Sequence, residues 1–131
     1  MSPQFAYNAY TQNSIRIESS EKLIEMLYEG VLRFAPQAIR AIDEGNIEKK
    51  TYFINRTSAI FSELINTLSP DKGGQVAFYL QGLYTHQLKL LLEANLYNNV
   101  ENIQTVINVT KGLLEAWRET THLEQYREIL V

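Results

Sequence analysis

No cysteine occurs in the 131 residues. Disulfides and thiolate metal sites are therefore excluded, and a reducing compartment suits the chain. With only two histidines, little is left for a metal centre. A carboxylate-bridged site in a helical bundle needs Glu-x-x-His from two helices and further glutamates from the others. The one match is Glu119-Thr120-Thr121-His122, and Leu83 stands three residues before His86. A glycine-rich phosphate loop and a nucleophile elbow are missing too, so no metal, no cofactor and no enzymatic activity are expected. Surplus positive charge is also absent: 12 Lys and Arg face 15 Asp and Glu, a net charge of -3. That balance argues against nucleic acid as a partner, which needs clustered basic residues. Apolar runs such as Leu90-Leu91-Leu92 fall far short of the roughly 18–20 residues of a membrane span. The N-terminus lacks a basic stretch followed by an apolar one, so no secretory signal is visible. The expectation is a cytoplasmic protein with no membrane as partner.

Proline and glycine are scarce as well, at three and six residues, so the breaks they make stand out. Asp43-Glu44-Gly45-Asn46 offers a glycine suited to end a helix and an asparagine suited to cap the next. Ser69-Pro70-Asp71-Lys72-Gly73-Gly74 is a strong breaker, and Asn98-Asn99 again has capping character. Between them lie four helical segments, about residues 20–44, 47–68, 75–97 and 100–123, the first capped by Ser19. Connections this short favour antiparallel neighbours. The expected fold is all-α: an antiparallel up-down four-helix bundle over residues 19–131. An N-terminal arm, residues 1–18, or a short extra helix, precedes it. Pro36 lies inside the first helix and removes one backbone donor, which predicts a kink near Leu32.

Placing residues at 100° per position separates two kinds of helix. The fourth gathers Ile103, Val106, Ile107, Val109, Leu113, Leu114 and Trp117 on one face, as a core helix should. The second gathers Ile47, Phe53, Ile54, Ile60, Phe61, Leu64, Ile65 and Leu68, with Tyr52 opposite. The first and third carry more apolar surface than one face hides. On the first, Leu23, Leu27, Val31, Phe34 and Ala38 form a core stripe, and Tyr28, Leu32 and Ile39 form a second. On the third, Leu80, Tyr84, Leu88 and Leu91 form the core stripe. Tyr79, Leu83, His86, Leu90 and Tyr97 widen it, Leu92 offers a groove floor, and Thr85, Lys89 and Glu93 form a narrow polar strip. One reading is a bundle with wide faces and some exposed leucines. The other is a hydrophobic groove for a partner helix, with i, i+4, i+7 anchors. The arm, with Tyr7, Tyr10 and Ile15 among polar residues, could cover such a groove. Gly30, Gly82 and Gly112 sit inside helices, where close approach of another backbone would justify them.

The ordered set of motifs resembles the flagellin export chaperone family, FliS. It comprises Asn8-Ala9-Tyr10, Ile15, the Glu18-Ser19 helix entry and Leu23-Ile24-Glu25-Met26-Leu27-Tyr28-Glu29-Gly30. Ala38, Ile39, Ala41-Ile42, Gly73-Gly74 and Leu83-Tyr84 follow. Leu92-Glu93-Ala94-Asn95 and Leu113-Leu114-Glu115-Ala116-Trp117-Arg118 complete it. Ser20 stands where the family often has proline, and Pro36 is a second departure. The resemblance implies a cytoplasmic four-helix chaperone that binds the disordered C-terminal segment of flagellin, prevents premature polymerisation and helps deliver it for export. It also admits other flagellar export or regulatory proteins as partners. From the residues alone, a generic helical adaptor or a self-associating bundle remains open.

Overall fold

The computed structural model describes residues 20–130; the expected arm, residues 1–18, lies outside them. Four helices follow in order: α1 Ser20–Asp43, α2 Ile47–Thr67, α3 Pro70–Tyr97 and α4 Val100–Leu130. Among the described residues there is no strand. No helix of them is long and apolar enough to cross a membrane.

The connections are held by the residues that suit them. Gly45 adopts φ +69°. Its N–H bonds the Ile42 carbonyl at 3.0 Å, and the Asn46 N–H bonds the Ala41 carbonyl at 2.8 Å. This is a Schellman closure of α1, satisfying carbonyls that the helix end orphans. The Asn46 side chain then accepts from the Lys49 N–H at 3.1 Å and caps α2. At the other end of the bundle two asparagines divide the work. Asn98 takes the left-handed conformation that ends α3, and the Asn99 side chain accepts from the Asn102 N–H at 3.1 Å to start α4.

Helix α1 packs on α2 and α4, α3 packs on α2 and α4, and among the described residues no backbone contact spans either diagonal. The pairs are antiparallel. Lys50, near the start of α2, donates through Nζ to the Asn95 carbonyl at 3.0 Å and to Asn98 Oδ1 at 2.8 Å, near the end of α3. Trp117, well along α4, donates through Nε1 to the Glu21 carbonyl at 2.9 Å, near the start of α1. Arg118 then reaches Glu25 at 3.1 Å and Glu29 at 2.9 Å.

The core is Val31, Ala35 and Ala38 from α1 with Ile54, Phe61 and Leu64 from α2. Tyr28 of α1, Tyr84, Leu91 and Ala94 of α3, and Ile103, Val106, Ile107 and Leu114 of α4 complete it. At Gly30, where α1 meets α2, an added Cβ would stand 2.8 Å from Ile60 Cδ1 and would push aside the tip of that side chain.

Several expectations need correcting. The buried face of α1 keeps Val31 and Ala38 of the expected core stripe but turns toward Ala35 and Tyr28, so Leu23 and Phe34 are only half-buried. Small residues on that line let the neighbouring helices close over it, which leaves the larger side chains on both flanks. Ile47 is exposed because it is the first residue of α2, beyond the reach of the core. Trp117 packs against the core as expected, though only half-buried, and its indole N–H ties α4 to α1. Pro36 lies inside α1, as expected. The carbonyl beside the one left without a donor, that of Arg33, is held by Gln37 Nε2 at 3.1 Å. Helix α4 continues past Leu123 to Leu130, since nothing after Leu123 breaks a helix.

Candidate functional site

Helix α3 is the element that differs from its neighbours. Phe78 is 81% exposed, Tyr79 69% and Tyr97 76%, and Val76, Leu92 and Leu96 are exposed as well. A helix built only to fill a core would not present so much apolar surface on its outer side.

The surface has shape as well as composition. Around the first turns of α3 lies an open depression of about 680 Å³, lined by Gly74, Gln75, Phe78, Tyr79, Gly82 and Leu83. Gly82 follows Phe78 and Tyr79 by four and three positions, so all three share one face of the helix. A Cβ added at Gly82 would meet nothing within 4 Å. Two aromatic rings thus flank a stretch of bare backbone, which another chain can approach closely.

A second cavity, about 330 Å³, opens at the end of the bundle where α1 and α3 begin and α2 ends. Leu23 and Ile24 of α1, Leu68, Val76 and Leu80, and Trp117 of α4 form its apolar wall, and Ser20 and Lys72 stand among its polar members. Tyr28 and Tyr84 also line it. Their hydroxyls are hydrogen-bonded to each other at 2.6 Å. Burial raises the ionisation of both above the ordinary tyrosine range, because a phenolate would lose its hydration there. Both groups therefore stay neutral wherever the protein is folded near neutral pH.

The residues expected to form the groove fall into three groups. Tyr79, Leu83, Leu92 and Tyr97 are accessible on α3, and Tyr79 and Leu83 share the depression. Leu32, Ile39 and Leu90 are half-buried against the core. Tyr28 is 2% exposed and belongs to the core, touching only the end cavity. Its position on the helix wheel faces the diagonal partner Tyr84, and its hydroxyl has a partner there, so burial strands no polar group. Tyr7, Tyr10 and Ile15 lie outside the described residues.

Sequence reasoning missed Phe78, Val76 and Leu96. The signal for Phe78 was present. It lies seven positions before Thr85 and eleven before Lys89, on the strip read as polar, and a phenylalanine on a polar strip has no core to fill. Among the described residues, no group of three or more His, Asp or Glu side chains could hold a metal ion.

Comparison with known proteins bears on the same chain. The family model described as "Flagellar protein FliS" matches residues 3–124. The Flagellar secretion chaperone FliS of Campylobacter jejuni subsp. jejuni is 60% identical over 124 residues, covering 95% of this chain and 97% of that protein. The Flagellar secretion chaperone FliS of Salmonella typhimurium is 26% identical over 118 residues, 89% of this chain and 87% of its own. That of Bacillus subtilis is 27% identical over 125 residues, 95% of this chain and 92% of its own.

Proposed function

Since this chain belongs to the FliS family of flagellar secretion chaperones, a family of chaperones and not of enzymes, we propose that its client is the disordered C-terminal segment of flagellin. In this reading it holds that segment in the cytoplasm, prevents premature polymerisation and helps deliver it to the flagellar export apparatus. The observation that carries the reading is the outer face of α3, where Phe78 and Tyr79 flank the bare backbone at Gly82.

The physical logic is that of coupled folding and binding. An amphipathic client helix without its filament partners would bury its apolar face in other copies of itself. A groove of aromatic and aliphatic side chains covers that face instead. Ordering the client offsets part of the contact energy, which keeps affinity per unit area low and release feasible. Tyrosine suits such a groove because its ring is apolar and its hydroxyl tolerates water when the groove is empty. Tyr7, Tyr10 and Ile15 of the arm cover the surface in the free protein and give way to the client. Ser20, where α1 begins, is a residue of the end cavity.

Calorimetric titration with a peptide from the flagellin C-terminus tests this, using the full chain and a Tyr79→Asp variant. Tyr79 is exposed, so the variant keeps its fold. Saturable binding that weakens at least about tenfold in the variant, the loss expected on desolvating a charge in an apolar contact, assigns the client to α3. Undiminished binding would move the site to the end cavity. No binding to either protein would sink the flagellin reading. A mass that rises with concentration in the absence of peptide would assign the face to a second copy.

A further inference from the structure

We propose that Gly74 is a hinge, and that the single turn Pro70–Gly73 is a lid over the end cavity.

Two glycines carry the argument independently. Gly74 adopts φ 55°, ψ -129° inside α3, a combination that residues with a side chain rarely tolerate. The helix therefore bends there. Gly73 is required by the same bend for a different reason. A Cβ at Gly73 would stand 2.8 Å from the Cβ of Ala77, closer than side chains ever approach. In a regular helix those two Cβ atoms, four residues apart, would be about 5–6 Å apart. Neither glycine is needed if α3 is straight, and both are unfavourable in a straight helix relative to alanine.

The remaining residues of the turn suit both geometries. Pro70 at the first helical positions is tolerated bent or straight, because its missing N–H would be unpaired anyway. Ser69 makes no side-chain cap. The turn closes on itself through Lys72 N–H at 3.1 Å and Gly73 N–H at 2.7 Å, both to the Ser69 carbonyl. These bonds lie within the lid and move with it. Among the described residues, no side chain of the turn is hydrogen-bonded to α1, α2 or α4, so swinging it costs mainly apolar contact with those helices.

What the lid covers follows from its place. Ser69, Lys72 and Gly73 line the end cavity, while Gly74 and Gln75 line the outer depression. The bend is the ridge between the two. Straightening α3 lifts one helical turn, about 6 Å long, from the mouth of the cavity and joins it to the depression. The opened cavity takes an apolar client side chain beside Leu23, Leu80 and Trp117. Only this last step rests on the client reading proposed above; the hinge itself does not.

The test needs no client. The chain has no cysteine of its own, so spin labels placed at Lys72→Cys on the lid and Glu115→Cys on α4 report the lid position alone. Trp117 is the sole tryptophan and lines the cavity, so quenching of its fluorescence by acrylamide reports access. Gly74→Ala and Gly73→Ala are each expected to shift the lid population at least about tenfold toward the longer distance, the factor such backbone strain commands, and to increase quenching. Ala77→Gly added to Gly73→Ala restores room for the new Cβ and returns both signals toward the original. An unchanged distance and unchanged quenching in both single variants would overturn the proposal. So would loss of the four-helix fold in either variant, since a lid is separable from the fold it covers. Neither result would touch the flagellin reading.

Discussion

Tyr28 and Tyr84 reach across the bundle diagonal, where α1 and α3 share no backbone contact, and their hydroxyls stand 2.6 Å apart. Each hydroxyl is the other's hydrogen-bond partner, so removing one strands its mate in a buried site. Tyr28→Phe and Tyr84→Phe are each expected to lower stability by about 1–2 kcal/mol, and the double variant by less than the sum. Denaturant melts of the three variants give the coupling; strict additivity would mean that the bond contributes nothing. The same pair makes stability depend on alkaline pH. Both tyrosines ionise later in the folded than in the unfolded state. Their contribution is complete below the unfolded value near 10. It is lost progressively as pH rises above that, because only the unfolded state then releases protons. Melting temperature should fall more steeply above about pH 10 in the natural chain than in the double phenylalanine variant. Equal slopes would refute the assignment. Periodicity read Tyr28 as part of a second apolar stripe and could go no further. Which way that stripe faces depends on the position of α3, and a hydroxyl on a helix wheel does not announce a partner 56 residues away.

At the scale of the helix, glycine separates stability from binding. Gly82 and Gly112 both lie inside helices, are exposed, and leave open space where a Cβ would stand. Alanine at either should stabilise the protein by about 1 kcal/mol through helix propensity alone. Only Gly82 lies in the apolar depression. Gly82→Ala is therefore expected to raise the melting temperature and weaken binding of the flagellin peptide, whereas Gly112→Ala raises it and leaves binding intact. Melts and calorimetry on the two variants side by side decide the matter. Equal binding by both would mean that no client backbone approaches Gly82. Helix number, order and most boundaries were legible because each break carries its own chemistry: Gly45 with Asn46, Ser69 with Pro70, Asn98 with Asn99. The bend at Gly74 was legible only as a breaker. Whether a Gly-Gly pair ends a helix or bends it depends on what packs beneath, and here that is Leu80, Tyr84 and the start of α1. The outer face of α3 was half legible, since Tyr79, Leu83, Leu92 and Tyr97 are accessible there. Phe78 went unread because its angular position was assigned to the polar strip before its own character was weighed.

For the molecule as a whole, the inter-helix ion pairs and the apolar depression lie on different helices. The inter-helix ion pairs, Arg118 with Glu25 and Glu29, join α4 to α1, and the depression on α3 has no charged residue in its lining. The net charge of -3 is small. Attraction at long range therefore contributes little to a client arriving at α3, and screening should remove little. Raising salt roughly tenfold shortens the reach of exposed charges about threefold. Affinity for the flagellin peptide is nonetheless expected to change by less than about twofold, the size of one weak surface pair. Binding heat measured at several temperatures should give a strongly negative heat-capacity change, the mark of apolar burial. A steep loss of affinity with salt, with little change in heat capacity, would place the client on the charged α1–α4 side instead. The two measurements are independent, so agreement between them would fix which side of the bundle the client occupies without altering a single residue.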